Sequence, residues 1–106
     1  MASPCLLIGD IGGTNARFAV ADGSGAGFSR QKALHCDDFA TAILVIRAYL
    51  DGIGIEQPTA ICLAVAGPVA ADGVRVTNNR WHIDIAELRE AFNTEAIRLL
   101  NDFGIA

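Results

Sequence analysis

The sequence predicts an α/β domain in which helices pack on the faces of a mixed β-sheet. Three observations support this fold class. Short apolar runs separated by glycine-rich turns occupy the first third of the chain, two helical patterns follow, and an apolar, branched segment accompanies each helical pattern. Tight turns favour antiparallel pairing and intervening helices favour parallel pairing, so we expect a sheet that contains both.

The first three strands are predicted to form an antiparallel meander. Apolar runs span residues 5–11, 16–22 and 28–34. The segments between them, residues 12–15 and 23–27, are rich in glycine and therefore indicate turns. Because these turns are short, each strand is expected to pair with the one before it.

A helix and a buried strand are predicted after the meander. Asp37 or Asp38 would cap the start of the helix, and Gly52 would end it, because apolar side chains recur at helical spacing between these points. Residues 59–66 are continuously apolar and rich in branched side chains. This pattern predicts a strand that is buried on both faces.

The remaining elements are a hairpin, a second helix and a last strand. An Asp-Gly pair in the middle of residues 69–77 indicates the hairpin. Asp84 is expected to begin the helix, with Glu87 at the spacing of a capping box. Residues 96–100 are apolar and predict a strand that carries polar residues at its carboxyl end.

Composition limits the possible functions. The 106 residues fit one domain, and 52% of them are hydrophobic, which is enough for a core. A net charge of −4 with scattered charges argues against partners such as nucleic acids or anionic membranes. No apolar run reaches the roughly 18 residues of a membrane helix, and no signal peptide is apparent. Cys5, Cys36 and Cys62 are expected to be reduced thiols of a cytoplasmic protein, mostly buried.

The first candidate site is the turn after the first strand. It comprises Gly9, Asp10, Ile11, Gly12, Gly13, Thr14 and Asn15. Glycines let backbone N–H groups approach an anion such as a phosphate, and Asp10 fits there if Mg²⁺ or its water shell lies between carboxylate and phosphate. No lysine follows the glycines and no helix starts there, which excludes the P-loop and dinucleotide-binding patterns. A glycine-rich hairpin capped by asparagine is the alternative interpretation.

Two further segments carry polar residues at strand ends. Asp102 follows the last strand, where it could accept a proton from a substrate hydroxyl while Asn101 orients the same group. The alternative is that they cap a following helix. Asn78 lies in a polar segment that could line a sugar cleft. Trp81 beside it is expected to be a core anchor, and His82 a surface residue.

Four segments together resemble the N-terminal part of the bacterial glucokinases. They are residues 9–17, 61–69, 76–81 and 99–103, in that order and at similar spacing. The resemblance implies the hexokinase/actin/Hsp70-type ATPase fold, with a ribonuclease-H-like mixed sheet. It also implies that residues 1–106 are the N-terminal lobe of a two-lobed sugar kinase whose second lobe is absent from this chain.

This resemblance implies transfer of the ATP γ-phosphoryl group to the 6-hydroxyl of glucose. Asp102 would then be the general base, with Asn101 and Asn78 as further sugar ligands. Residues 9–15 would bind the nucleotide phosphates, and Asp10 would face Mg²⁺ through water. The chain alone is expected to have little or no kinase activity, since the other ligands would lie on the missing lobe.

Three alternatives remain open at this stage. One is a regulatory module of the same superfamily that binds a sugar or nucleotide without catalysis. Another is a kinase for a different substrate, because glucose, mannose and fructose are not distinguished by these residues. The last is a fragment whose exposed apolar face supports a homodimer or other self-association.

Overall fold

The computed structural model describes residues 5–21, 27–66, 73–75 and 81–101. Within these ranges the predicted order is confirmed for the first four strands, both helices and the last strand, whereas a strand at His82–Asp84 was not predicted. The elements are β1 (Leu6–Ile11), β2 (Asn15–Ala21), β3 (Ser29–His35), α1 (Ala42–Ile53), β4 (Ala60–Val65), β5 (Gly73–Arg75), β6 (His82–Asp84), α2 (Ile85–Phe92) and β7 (Ala96–Asn101). A short 3-10 helix, Cys36–Asp38, connects β3 to the segment before α1.

Five of the strands form one mixed sheet in the order β3-β2-β1-β4-β7. β2 pairs antiparallel with both β1 and β3, which confirms the predicted meander. β4 pairs parallel with β1 on one side and with β7 on the other. The carboxyl ends of β1, β4 and β7 therefore lie at the same edge of the sheet.

The core lies between one face of this sheet and the two helices. Buried side chains of β1, β2 and β4 form a single cluster with those of both helices; the cluster includes Leu7, Ile11, Phe18, Ile61, Leu63, Val65, Val45, Ile46, Leu50, Leu88 and Phe92. Arg47 of α1 stacks on Phe92 of α2, with the guanidinium carbon 4.6 Å from the ring centre. Both helices therefore pack on this face and contact each other through Arg47 and Phe92.

The opposite face of the sheet is less covered within the described residues. Ile8, Cys62 and Ala64 alternate with core residues and are only half-buried, and Leu100 is 42% exposed. The prediction that residues 59–66 are buried on both faces is thus correct for one face and wrong for the other, because no described helix covers that side.

The start of α1 differs from the prediction. Thr41 is the N-cap, and its side chain accepts a hydrogen bond of 3.2 Å from the Leu44 N–H. Asp37 and Asp38 lie earlier, in the 3-10 helix. The Phe39 N–H donates to the Cys36 carbonyl, which closes that short turn before the chain extends toward Thr41. The two aspartates therefore belong to a separate element.

The end of α1 also differs from the prediction. Gly52 lies inside the helix, and Gly54 ends it with a φ of 76°. The Ile55 N–H then donates to the Leu50 carbonyl at 3.0 Å, which satisfies one of the last carbonyls of the helix. Continuing past Gly52 lets Ile53 pack against the core, which explains why the helix does not end at Gly52.

The second helix agrees with the prediction. The Asp84 carboxylate accepts hydrogen bonds from the Ala86 and Glu87 N–H groups at 2.8 and 3.2 Å. Asn93 ends α2 in the left-handed region, with a φ of 50°. In the part of the chain that the structure describes, no helix has the length and apolar character needed to cross a membrane.

The predicted hairpin at residues 69–77 is only partly within the described residues. Gly73, which the sequence places in the turn, instead begins strand β5. β5 pairs antiparallel with β6, and Gly73 stands opposite Asp84. A Cβ at Gly73 would overlap the Ile83 carbonyl oxygen, so the close approach of these strands explains this glycine.

The three cysteines are free thiols and two of them are buried, in agreement with the prediction that they are mostly buried. Cys5 and Cys36 are buried free thiols, whereas the free thiol Cys62 is only partly buried. Burial raises the pKa of Cys5 above its ordinary value of 9.0, and the charge of Arg30 opposes this effect. Cys5 therefore remains a neutral thiol at physiological pH.

Candidate functional site

The turn between β1 and β2 is held by hydrogen bonds within the protein. The Gly12 N–H donates to the Asn15 carbonyl at 3.0 Å, and the Cys36 N–H donates to the Thr14 carbonyl at 2.8 Å. The Cys36 thiol lies 3.5 Å from the Gly12 carbonyl oxygen, to which it donates. Thr14 and Asn15 are exposed. The turn therefore has a fixed inner side and an accessible outer side.

The turn lies at the same sheet edge as the end of β7. In the strand register, Ile11 is opposite Val65, and Val65 is opposite Asn101. Neighbouring strands are about 4.8 Å apart, so the backbones of Ile11 and Asn101 are separated by roughly 10 Å across β4. The backbone of Asn101 is thus close to the turn, while the Asn101 side chain, Asp102 and Asn78 lie outside what the structure describes.

Two residues of the candidate segment face the core rather than the edge. A Cβ at Gly9 would lie 2.7 Å from Leu63 Cδ2 and 2.9 Å from two carbons of the Phe18 ring. Ile11 is fully buried. Packing therefore explains why residue 9 is a glycine. Contacts of the Gly9 and Ile11 backbones with a phosphate stay predictions.

Asp10 points away from the core. It is exposed and stands opposite Arg17 in the β1–β2 pair. Both residues line a groove of about 440 Å³, with Phe28 and Lys32 on its other side. The groove therefore combines an acid with two cations and an exposed aromatic ring.

Asp10 is the only residue of residues 9–15 with a carboxylate, the type of oxygen ligand that Mg²⁺ prefers. Across the described ranges, no group of three or more His, Cys, Asp or Glu side chains could hold a metal ion. A single carboxylate at Asp10 fits an ion that keeps its water and phosphate ligands and reaches the protein through that water.

Trp81 confirms its predicted role as an anchor. Its side chain is 4% exposed, and its ring N–H donates to the Phe39 carbonyl at 3.3 Å. The next residue, His82, is exposed as expected. Trp81 thus fixes the start of β6 to the segment that precedes α1.

Two residues contribute to this site without having been predicted from the sequence, Cys36 and Arg17. The contact of Cys36 with the turn follows from the β2–β3 register, in which Asn15 stands opposite His35. The position of Arg17 beside Asp10 follows from the β1–β2 register. Both could have been found by counting outward from the predicted turns, because antiparallel pairing fixes which residues stand opposite each other.

Comparison with known proteins gives consistent matches. The family model described as Glucokinase matches residues 7–106. A glucokinase of Chromohalobacter salexigens is 43% identical over 97 residues, which cover 92% of this chain and 30% of that protein. The chain spans about 30% of the length of the curated relatives it matches.

Solved structures support the same resemblance. The crystal structure of a glucokinase from an Antarctic psychrotroph matches with a TM-score of 0.85 and 34% identity, covering 96% of this chain and 33% of that one. A ROK family glucokinase from Streptomyces griseus, solved in complex with glucose and AMPPNP, matches with a TM-score of 0.70 and 21% identity, covering 92% of this chain and 33% of that one. The second match shows a shared fold. The resemblance and the fold class predicted from the sequence are confirmed.

Proposed function

This chain belongs to the glucokinase family, and from that premise we propose that it supplies one lobe of an enzyme that transfers the ATP γ-phosphoryl group to the 6-hydroxyl of glucose. The chain spans about 30% of the length of its relatives. In this proposal residues 1–106 therefore provide one part of the site, and a second lobe would provide the rest.

One observation carries the proposal. The β1–β2 turn and the backbone of Asn101 lie at the same edge of the sheet, with only β4 between their strands. Asp102 is the next residue after Asn101. The backbones that would hold a phosphate chain and a sugar are thus roughly 10 Å apart, a distance that the two bound groups can span so that they meet for direct transfer.

In this proposal Asp102 acts as the general base. The oxygen of the 6-hydroxyl attacks the γ-phosphorus, its proton passes to the Asp102 carboxylate, and the bond to the leaving ADP breaks. Asn101 and Asn78 hold the sugar by hydrogen bonds. A positioned base typically contributes about 10²–10⁴-fold to the rate, and positioning and charge neutralisation supply most of the rest.

The nucleotide phosphates would bind at residues 9–15. Thr14 and Asn15 are exposed at the outer side of the turn and can donate from their side chains. Asp10 would hold Mg²⁺ through water, as its position at the mouth of the turn permits. When bound, the ion offsets the negative charge of the phosphates.

A chimeric enzyme tests the proposal. Residues 1–106 replace the aligned part of the Chromohalobacter salexigens glucokinase, and glucose-dependent ADP formation is measured. We expect turnover by the chimera and a loss of about 10²-fold or more in kcat for Asp102→Asn, with a smaller change in glucose affinity. Asp51→Asn, which removes an exposed carboxylate from α1, is the matched control.

Two outcomes would contradict the proposal. Near-normal turnover by Asp102→Asn would remove this residue from the role of base. A folded chimera that binds glucose or ATP without any turnover would instead favour the regulatory module. Calorimetric titration with each ligand separates these cases, because it reports binding whether or not phosphate is transferred.

A further inference from the structure

We propose that the start of the 3-10 helix positions the phosphate-binding turn, with Cys36 as the positioning residue. This inference rests on the proposed function of residues 9–15. Two hydrogen bonds join Cys36 to the turn, and we call them the turn clamp: the Cys36 N–H donates to the Thr14 carbonyl, and the Cys36 thiol donates to the Gly12 carbonyl.

The turn clamp controls where the peptide dipoles of the turn point. The Gly12 carbonyl oxygen accepts from the Cys36 thiol and the Thr14 carbonyl oxygen accepts from the Cys36 N–H, so both oxygens point to the inner side of the turn. Carbonyl oxygens repel phosphate oxygens, so this orientation favours an anion on the outer side.

Cys36 is well placed to keep this orientation fixed. Its side chain is only 2% exposed, so water does not compete readily for the thiol. Its carbonyl accepts from the Phe39 N–H at 3.1 Å, which ties it into the 3-10 helix. A rigid residue that contacts two carbonyls of one short turn restricts that turn before a ligand arrives, and such restriction lowers the entropy lost on binding.

The test compares three cysteine variants in the chimeric enzyme. Cys36→Ala removes the thiol donor, Cys36→Ser restores a donor, and Cys5→Ala removes another buried thiol at the opposite end of β1. A typical net hydrogen-bond contribution corresponds to a change of about two- to tenfold in affinity. We expect Cys36→Ala to raise the KM for ATP and the Kd for ADP by that factor, with the KM for glucose nearly unchanged.

The remaining outcomes decide between positioning and simple support of the fold. Partial recovery by Cys36→Ser, with no effect of Cys5→Ala on either KM, would support the turn clamp. Equal rises in both KM values for Cys36→Ala, or the same change in Cys5→Ala, would overturn it. ADP affinity is measured by calorimetry, which does not depend on catalysis. If the parent chimera does not phosphorylate glucose, that result contradicts the proposed function but not the turn clamp.

A second measurement covers the case in which a chimera does not fold. Amide hydrogen exchange is recorded for residues 12–15 in the chain itself and in its Cys36→Ala variant. We expect faster exchange at these positions in the variant, with unchanged exchange in β4. Unchanged exchange throughout the turn would overturn the inference.

Discussion

Gly9 and Phe18 face each other across the β1–β2 pair so closely that a Cβ on Gly9 would lie 2.9 Å from two carbons of the Phe18 ring. Leu63 of β4 closes the same space from the other side, at 2.7 Å. The ring of Phe18 in turn packs on Tyr49 of α1, with 5.2 Å between ring centres. The missing side chain at Gly9 thus allows the helix, the ring and the central strand to pack together.

Gly9→Ala is therefore expected to destabilise the fold. The added methyl group overpacks the core, and we expect the free energy of unfolding to fall by about 1–3 kcal/mol. Urea denaturation measures this change. Gly12→Ala is the matched control, because its Cβ would lie at an ordinary 3.6 Å from the Asn15 carbonyl oxygen. Equal losses for both variants would contradict the packing argument.

The two glycines at the end of α1 should respond in opposite directions. Gly52 is inside the helix with open space around it, so Gly52→Ala is expected to stabilise the chain by about 0.5–1 kcal/mol. Gly54 has a φ of 76°, so Gly54→Ala should destabilise it by about 1–2 kcal/mol. Thermal denaturation measures both changes. Shifts of the same sign would show that the helix ends elsewhere.

Stability is expected to fall in alkaline solution because of two groups near the start of β1. Burial raises the pKa of Tyr49 above its ordinary 10.0; the nearby Cys5 adds to the rise and Arg30 opposes it. Burial likewise raises the pKa of Cys5 above 9.0. At alkaline pH the folded chain therefore binds more protons than the unfolded chain, so the free energy of unfolding decreases as pH rises.

The alkaline loss should begin near pH 9.0, the ordinary pKa of Cys5, and continue as pH rises through the higher pKa values of the folded chain. Urea denaturation at pH values from about 8 to about 11 measures it. The Tyr49 hydroxyl donates to the Arg30 carbonyl at 2.7 Å, a bond that its ionised form cannot make. A Cys5→Ala/Tyr49→Phe double variant should therefore show a flatter pH profile. A profile as steep as that of the parent chain would assign the loss to other groups.

The isolated chain is expected to show no glucose-dependent ADP formation above background. It spans about 30% of the length of its relatives, and the proposed site needs groups from a second lobe. A coupled assay with purified chain tests this directly, and the chimeric enzyme is the positive control. Turnover comparable to that of the chimera would mean that residues 1–106 contain a complete site.

The fold could be predicted from the sequence where local signals agree. The β1–β2 turn contains consecutive glycines between apolar runs, and α2 carries its own cap at Asp84. The boundaries of α1 could not be predicted in the same way, because residues 37–38 and 41 are all suitable caps and only the 3-10 helix decides between them. Long-range packing likewise explains why Gly73 is a strand residue.

The candidate site could likewise be predicted where a local sequence pattern exists, but not where contacts between distant residues decide. The turn at residues 12–15 lies where the sequence predicts it, at the carboxyl end of β1. The contact of the Cys36 thiol with Gly12 joins residues 24 positions apart, and it follows from the pairing register of β2 and β3 rather than from a local pattern at Cys36. Asp102 and Asn78 keep their predicted roles as hypotheses, since both lie outside the described residues.

The parallel pairing of β1 with β4 has a consequence for the kinetics of folding. The Cys5 N–H donates to the Thr59 hydroxyl at the start of this pair, across 54 positions of sequence. Closing so long a loop costs entropy before the central strands gain any contacts, whereas the meander needs only short closures. Contacts of this separation are typical of domains that fold in milliseconds rather than microseconds. The sheet should therefore assemble from its antiparallel side, with β4 and β7 joining last.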